Sequence, residues 1–235
     1  MNTLALDTAT EACSVALRVG DSVLSRYQET ARDHSRLVLG MIDEVMHEAD
    51  LKPGSLDALV FGRGPGSFTG VRIAAGVVQG IALVADCPVV PISDLRTIAQ
   101  RMYRESGAQR VFSAIDARME EVYWGCFELD AQGIMCACLP ELVCAPVDIE
   151  TPEGVNSERQ FAAAGTGWAR YEAILEATVS PWTLVENRPL LPHAEDMLTL
   201  ATDDEINRRG VRAENAIPVY LRDKVAHTRA EREAK

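Results

Sequence analysis

The feature that most restricts the fold of this chain is a pattern that occurs twice. An apolar strand ends in Asp7, a polar turn carries Glu11, and a second apolar strand follows; the same order recurs around Asp116 and Glu120. Both pairs of positions are 109 residues apart (116 − 7 and 120 − 11). Because the repeat divides the 235-residue chain near its middle, two duplicated lobes explain it better than chance recurrence.

The elements predicted for the first half alternate between strands and helices. Strands are predicted at 3–6, 13–19, 22–29, 58–61 and 89–92, and helices at about 33–49, 69–85 and 93–105. Asp33 and Ser93 are suitable residues to cap the first and third of these helices. Three strands followed by helix, strand, helix, strand and helix predict a mixed sheet with helices packed on it. Strands and helices of the second lobe are expected at 161–165, 171–177 and 193–202.

Two such lobes resemble the actin, Hsp70 and sugar-kinase architecture, known as the ASKHA fold. In that fold the two hairpins face each other across a cleft and hold nucleotide phosphates and Mg²⁺. We therefore predict an α/β protein with two duplicated lobes, each a mixed β-sheet flanked by helices. The first lobe is predicted to cover residues 1–106 and the second 107–215. A C-terminal tail, 216–235, is expected to end in disorder because it is mostly charged.

Charge and hydropathy favour a cytoplasmic protein without a membrane span. The formal charge is −12, from 23 basic and 35 acidic residues, and it repels a phosphate backbone. Contact with RNA is therefore expected only through a more basic partner. The N-terminal residues lack the pattern of a signal peptide. The longest apolar stretch, 71–85, is interrupted by Arg72 and Gln79 and is expected to be too short and too polar for a bilayer.

The residues that usually bind metals or perform catalysis do not form a recognisable set. Four of the six cysteines lie within 126–144, but their spacing lacks the C-x2-C pair of zinc sites, so we predict small buried thiols. Asp33, His34 and Ser35 are triad residue types, but adjacent side chains at a helix start cannot form a relay. We predict no metal site and no catalytic residue.

The two hairpin turns carry the residues that could contact a nucleotide. Asp7, Thr8 and Thr10 belong to the first turn, and Asp116 precedes the second. A phosphate cradle needs converging backbone N–H groups and hence glycine, whereas these turns read Thr-Ala-Thr and Ala-Arg-Met. We predict at most weak, residual nucleotide binding at these four residues. The simpler interpretation is that the aspartates cap tight hairpins.

The segment 62–70 is rich in glycine and opens the second helix. It has no G-K-[ST] ending and Pro65 removes a donor, so it is not a P-loop. A sharp strand-to-helix turn is predicted instead, with Ser67 or Thr69 as the cap. Gly76 and Gly80 lie four residues apart in the following helix and would permit close approach of another helix. That helix could belong to the core of this chain or to a partner.

With these motifs the sequence resembles the TsaB (YeaZ) family of bacterial proteins, which is required for threonylcarbamoyladenosine formation in transfer RNA. The matching segments cover nearly the whole chain. They are 6–17, 62–72, 115–124, 165–168, 194–198 and 218–222. The glycine-rich segment is the most specific of them.

The resemblance implies a non-catalytic subunit of the enzyme that threonylcarbamoylates the adenosine beside the anticodon. TsaB-like proteins are paralogues of the transferase TsaD, and they act as its scaffold and activator together with the ATPase TsaE. TsaD-like sequences carry two metal-binding histidines on a helix that here corresponds to 93–104, a stretch without histidine. TsaC or TsaC2 is implied as the pathway enzyme that supplies the adenylate. No cofactor of its own is implied, and ATP or ADP with Mg²⁺ would belong to the interface of the complex.

Pairing with TsaD is implied to use two helices of the first lobe, and the isolated chain is implied to form a homodimer through the same helices. Met41, Val45, Arg72, Gly76 and Gln79 are predicted at or near this interface. Three alternatives remain. The chain could be an ASKHA-type phosphotransferase or ATPase that uses Asp7 and Asp116, a peptidase, or an interaction module with a role outside transfer RNA.

Overall fold

A computed structural model of the protein describes residues 1–30, 33–152 and 160–222. Its first sheet has the strand order β3-β2-β1-β4-β5. These strands are β1 (Asn2–Asp7), β2 (Ala12–Val19), β3 (Ser22–Glu29), β4 (Ala58–Gly62) and β5 (Val89–Ile92). The pairings of β2 with β1 and β3 are antiparallel, whereas β4 runs parallel to β1 and β5. Each predicted strand of this half is present, with bounds that differ by at most one residue.

The second sheet repeats this arrangement in the order β11-β10-β6-β7-β8, with β9 also paired to β7. Its strands are β6 (Arg110–Arg118), β7 (Glu121–Leu129), β8 (Met135–Ala137), β9 (Leu142–Cys144), β10 (Gln160–Ala164) and β11 (Thr183–Arg188). As in the first sheet, a meander of three antiparallel strands is extended by two parallel strands on the side of its first strand. The duplicated order confirms the predicted two-lobed, actin-like architecture.

Six α-helices flank the sheets in the described part of the chain. They are α1 (His34–Glu48), α2 (Phe68–Ala85), α3 (Asp94–Ser106), α4 (Thr166–Val179), α5 (Ala194–Leu200) and α6 (Asp203–Arg209). Ser93 caps α3 as predicted, because its side chain accepts a hydrogen bond from the Arg96 amide at 3.2 Å. Asp33 occupies the N-cap position of α1, but it has a left-handed backbone (φ 74°) and its side chain makes no capping hydrogen bond. The capping prediction for Asp33 was therefore wrong.

Each sheet receives a helix that comes from the other half of the sequence. Helix α3 packs on the second sheet, where Leu95, Ile98 and Met102 join the core. Helix α5 packs on the first sheet through residues that include Met197 and Leu198. The two sheets are thus formed by different halves of the sequence, whereas α3 and α5 are exchanged between them. Neither half of the sequence closes its own hydrophobic core.

The described part of the C-terminal segment packs against the first lobe. Residues 216–222, which we call the strap, follow a short 3-10 helix (Ala213–Asn215) and pack along α2 and the glycine-rich loop. The end of the tail, for which disorder was predicted, lies outside the described residues.

Helix α2 is more apolar than the sequence analysis assumed. Among the described residues it is the one helix long and apolar enough to cross a membrane by length and composition, with a mean hydropathy of 1.6. The expectation that this stretch is too short and too polar was therefore wrong. Only 33% of the helix is buried inside the protein, against the first sheet, which leaves a wide apolar surface without a partner in the described chain.

The six cysteines are free thiols. Cys126 is buried in a strand as predicted, Cys13 is also buried, and three others are partly buried. Cys136 is exposed on β8, because its neighbour Met135 takes the position that faces the core. Burial was thus predicted wrongly for Cys136.

The exchanged helices should make the two lobes unfold together. All three tryptophans (Trp124, Trp168 and Trp182) belong to the core of the second lobe, so their fluorescence reports on that lobe alone. Leu198→Ala removes a buried side chain from the first-lobe core and should cost about 2–5 kcal/mol. We expect the same shift of the unfolding transition by tryptophan fluorescence as by circular dichroism.

The matched control is Val147→Ala, which removes a side chain that is 62% exposed and lies away from α2, in the 3-10 helix Pro146–Asp148, and it should change stability by less than about 0.5 kcal/mol. A Leu198→Ala transition that shifts by circular dichroism but not by fluorescence would contradict the coupling of the lobes.

Candidate functional site

The two duplicated hairpins face each other across a cleft of about 540 Å³ between the lobes. Its walls include the turn between β1 and β2, the turn between β6 and β7, the start of α2 and the strap. Thr10 and Asp116, two of the four predicted nucleotide-binding residues, line this cleft. Asp7 and Thr8 do not line it, because both are fully buried beneath the first turn.

Asp7 forms a pair with Asp94 in the core of the first lobe. Its Oδ1 accepts a hydrogen bond from the Ala9 amide at 3.3 Å, whereas Oδ2 has no donor among the described residues. Asp94 accepts from the Gly64 amide at 2.6 Å through Oδ2, and its Oδ1 is likewise left without a donor. Burial raises the pKa of Asp7, and burial together with the charge of Asp7 raises that of Asp94 well above its ordinary value. The two carboxyl groups therefore share a proton.

Gly62 explains how two carboxyl groups fit at this position. A Cβ atom on Gly62 would lie 2.0 Å from Asp7 Oδ2 and 2.5 Å from Asp94 Oδ1. The glycine thus makes room for the pair rather than for a phosphate. Asp94 was missed by the sequence analysis, because it is 87 residues from Asp7 (94 − 7) and only the fold brings them together.

The rest of the glycine-rich loop packs the first turn against α2. The Thr8 hydroxyl donates to the Gly70 carbonyl at 2.7 Å, and the Ser67 amide donates to the Ala9 carbonyl at 2.6 Å. A Cβ on Gly70 would lie 2.0 Å from the Thr8 carbonyl oxygen. The predicted structural role of this loop is confirmed, and Ser67 caps α2 by accepting from the Gly70 amide at 3.4 Å.

Asp116 is surrounded by the chain's own cations. One oxygen accepts from the Arg118 amide at 3.0 Å, and the other contacts the guanidinium groups of Arg118 at 3.2 Å and Arg170 at 2.9 Å. Arg118 also approaches Glu11 of the first hairpin at 3.8 Å and so bridges the two turns. An arginine thus occupies the space between the acids of the two turns.

The second turn has a backbone that usually requires glycine. Arg118, Met119 and Glu120 are all left-handed, with φ values of 63°, 56° and 61°. Such a conformation costs a non-glycine residue roughly 1–2 kcal/mol. Three bulky side chains therefore occupy the turn that would need to approach a phosphate closely.

These observations test whether Mg²⁺ and a nucleotide fit the cleft. Asp7 faces the core and shares a proton, and Asp116 is neutralised by two arginines. The Thr8 hydroxyl is used inside the protein, and Thr10 Oγ1 accepts from the Ala12 amide at 3.3 Å. The residues present do not fit a metal-bound nucleotide.

The predicted interface residues divide into two groups. Arg72 and Gly76 lie on the exposed side of α2 and Gln79 is partly exposed, whereas Val45 is fully buried and Met41 nearly so. The Met41 and Val45 side chains therefore face the first-lobe core and are not exposed on α1 for direct contact, whereas the placement of the five residues at or near the interface stays a prediction.

Gly76 and Gly80 are open to solvent. An added Cβ would have no atom within 4 Å at either position, so neither glycine serves packing within the described chain. Large apolar side chains are also exposed on α1 and α2. They are Leu39 of α1 and Phe68, Leu83 and Val84 of α2.

Comparison with known proteins fits this geometry. The family model described as "TsaD: tRNA N6-adenosine threonylcarbamoyltransferase" matches residues 25–230. The tRNA threonylcarbamoyladenosine biosynthesis protein TsaB of Escherichia coli is 41% identical over 96% of this chain and 96% of its own length. The chain belongs to the TsaB family. TsaB of Haemophilus influenzae is 38% identical over 94% of both chains.

Solved structures of the TsaB family share this arrangement of lobes. A crystal structure from Pseudomonas aeruginosa, described as an uncharacterized protein with similarity to peptidase YeaZ, has 47% identity and a TM-score of 0.86. The match covers 94% of this chain and 99% of the chain from Pseudomonas aeruginosa. A second structure, named YeaZ and from the same organism, has a TM-score of 0.85. The resemblance identified from the motifs is confirmed.

The buried Asp7–Asp94 pair predicts a pH dependence of stability. Because both folded pKa values are raised, the folded chain binds protons more tightly than the unfolded chain, and stability falls as pH rises through the folded values. In Asp94→Asn, the side-chain oxygen can still accept the hydrogen bond from the Gly64 amide. The side-chain N–H can donate a hydrogen bond to Asp7 at every pH. We expect the variant to match the wild type at acidic pH, where the pair is protonated, and to become progressively more stable than the wild type as pH rises toward the raised folded pKa of the pair, with a limiting slope of about 1.4 kcal/mol per pH unit.

The measurement is urea unfolding at several pH values, with Asp21→Asn on an exposed turn as the control. A difference between Asp94→Asn and the wild type that stays constant with pH would exclude the shared proton.

Proposed function

We propose that this chain is a non-catalytic subunit required for threonylcarbamoylation of the adenosine next to the anticodon of tRNA. Its membership of the TsaB family gives it a role in tRNA threonylcarbamoyladenosine biosynthesis. In the proposal it serves as scaffold and activator of a TsaD-type transferase, together with TsaE. TsaC or TsaC2 supplies the adenylate in the same pathway.

The observation that best supports this proposal is the apolar face of α2 that the described residues leave exposed. Leu83 and Val84 are 76% and 69% exposed, although exposed leucine and valine cost free energy in water. Two open glycines on the same helix allow a partner helix to approach closely. A surface of this kind is typical of protein–protein interfaces. We infer that a TsaD-family chain covers it in the complex, and that a second copy covers it when this chain is alone.

The cleft supports a role without catalysis. Its acid Asp116 is neutralised by Arg118 and Arg170, and the Thr10 hydroxyl is used by the first turn. We propose that the chain has no cofactor of its own and that ATP or ADP with Mg²⁺ is held at the interface with the partner. The alternative, an ASKHA-type phosphotransferase or ATPase, requires free acids at Asp7 and Asp116. Tight binding of Mg-ATP to the isolated chain by calorimetry would favour that alternative.

The net charge of −12 fits an indirect role toward RNA. A phosphate backbone is repelled by an acidic protein, so we propose that the transferase holds the tRNA and that this chain contacts only the transferase. We place the complex in the cytoplasm.

The interface is tested by Gly76→Leu. Leucine has a better helix propensity than glycine, so the variant should fold at least as well as the wild type. At a close helix contact the added side chain should cost about 1–3 kcal/mol, which corresponds to roughly 5- to 150-fold weaker binding of the TsaD-family partner. Calorimetric titration with the purified partner measures this loss.

The matched control is Ala177→Leu, which places a leucine at an exposed position of α4 in the second lobe. Circular dichroism verifies folding, and Gly80→Leu replaces Gly76→Leu if that variant is unfolded. Partner affinity within about threefold of wild type for both helix variants would refute the proposed interface.

A further inference from the structure

The strap is anchored along α2 by two contacts. The Gln79 side-chain amide donates to the Ala216 carbonyl at 3.0 Å. The Arg72 guanidinium lies 3.3 Å from the ring centroid of Phe68 and 4.9 Å from that of Tyr220. Two residues predicted at the partner interface, Arg72 and Gln79, therefore hold the strap directly.

The middle of the strap lies on the glycine-rich loop. The Val219 amide donates to the Arg63 carbonyl at 2.8 Å. A Cβ on Gly64 would lie 2.9 Å from the Val219 carbonyl oxygen, and Gly64 is left-handed (φ 101°). The loop thus requires glycine at this position for a second reason, because the strap passes close to its backbone.

The end of the strap reaches the hairpin of the other lobe. Arg222 forms an ion pair with Glu121 at the start of β7. Its guanidinium also lies 3.5 Å from the Arg118 carbonyl oxygen and 3.6 Å from Met119 Sδ. Arg222 therefore holds the strained left-handed turn whose Arg118 side chain spans the cleft.

The strap is also part of the exposed apolar surface. Ile217 is 63% exposed and Tyr220 is 48% exposed, and Tyr220 lies beside Phe68 at the start of α2. A partner seated on α2 would therefore reach strap residues without leaving the same continuous face.

We propose that the strap couples the exposed face of α2 to the turn between β6 and β7. A partner that docks on α2 engages the strap and thereby fixes this turn at the far wall of the cleft. This inference rests on the proposed function, because the partner is the TsaD-family chain inferred above. The path consists of direct contacts from α2 through Tyr220 and Val219 to Arg222 and the turn. A turn that stores backbone strain is held by its surroundings, so a contact that tightens its anchor should reduce its opening.

The test is hydrogen exchange of the turn, measured by mass spectrometry on peptides covering 116–124, with and without the TsaD-family partner. In the wild type we expect the partner to slow exchange there by at least about fivefold, the lower end of the range for coupled sites. Arg222→Ala removes the anchor but leaves α2 unchanged, so the partner should still bind while the slowing in 116–124 is lost. Glu121→Gln removes the same ion pair from the other side, in case Arg222→Ala does not fold.

Arg170→Ala is the matched control, because it removes another arginine bound to Asp116 without touching the strap. It should keep the slowing. If the partner binds but does not slow exchange in the wild type, or slows it equally in Arg222→Ala, the coupling through the strap is wrong and the proposed function stands. If the wild type does not bind the partner at all, the proposed function itself is overturned.

Discussion

Three glycines allow the loop after β4 to lie directly against the turn between β1 and β2, and much of the molecule follows from that contact. Side chains at Gly62, Gly66 or Gly70 would overlap the first turn or its buried acids. The close approach fixes where α2 begins and buries the first turn's aspartate, Asp7, in the core. The same loop carries the strap on its other side. A motif that resembles a phosphate loop therefore serves to hold backbone against backbone.

This contact explains why the cleft offers little free charge, whereas the outer surface of α2 offers exposed apolar side chains. With Asp7 facing the core and Asp116 bound by arginines, the cleft has little free charge to offer a metal-bound ligand. Helix α2, by contrast, packs on the first sheet with its inner side and exposes apolar residues on the opposite side. The free energy available for binding a partner thus lies on the outside of the first lobe. A protein with few free charges in its cleft and an exposed apolar helix face is suited to act as a subunit.

Local sequence patterns predicted the features that depend on neighbouring residues. The strand Ser22–Glu29 and the Ser93 cap followed from alternation and from capping chemistry. The features that were missed depend on distant residues. Asp94 meets Asp7 only after β1, β4 and α3 have assembled, and an amphipathic α3 gives no sign of which of two similar sheets it will cover. The apolar stripe of α1 was wide enough for both core and surface, so the sequence could not assign Val45 to the core.

The central claim is that this chain is a required subunit without chemistry of its own. The most direct measurement is reconstitution of the modification from threonine, bicarbonate, ATP and unmodified tRNA with the adenylate-forming enzyme, TsaD and TsaE, read by mass spectrometry of the nucleoside. We predict product only when the chain is added, and undiminished product when Asp116→Asn replaces the wild type. Equal product without the chain would contradict the claim that it is required, and loss of product with a folded, partner-binding Asp116→Asn would contradict the claim that its cleft is not catalytic.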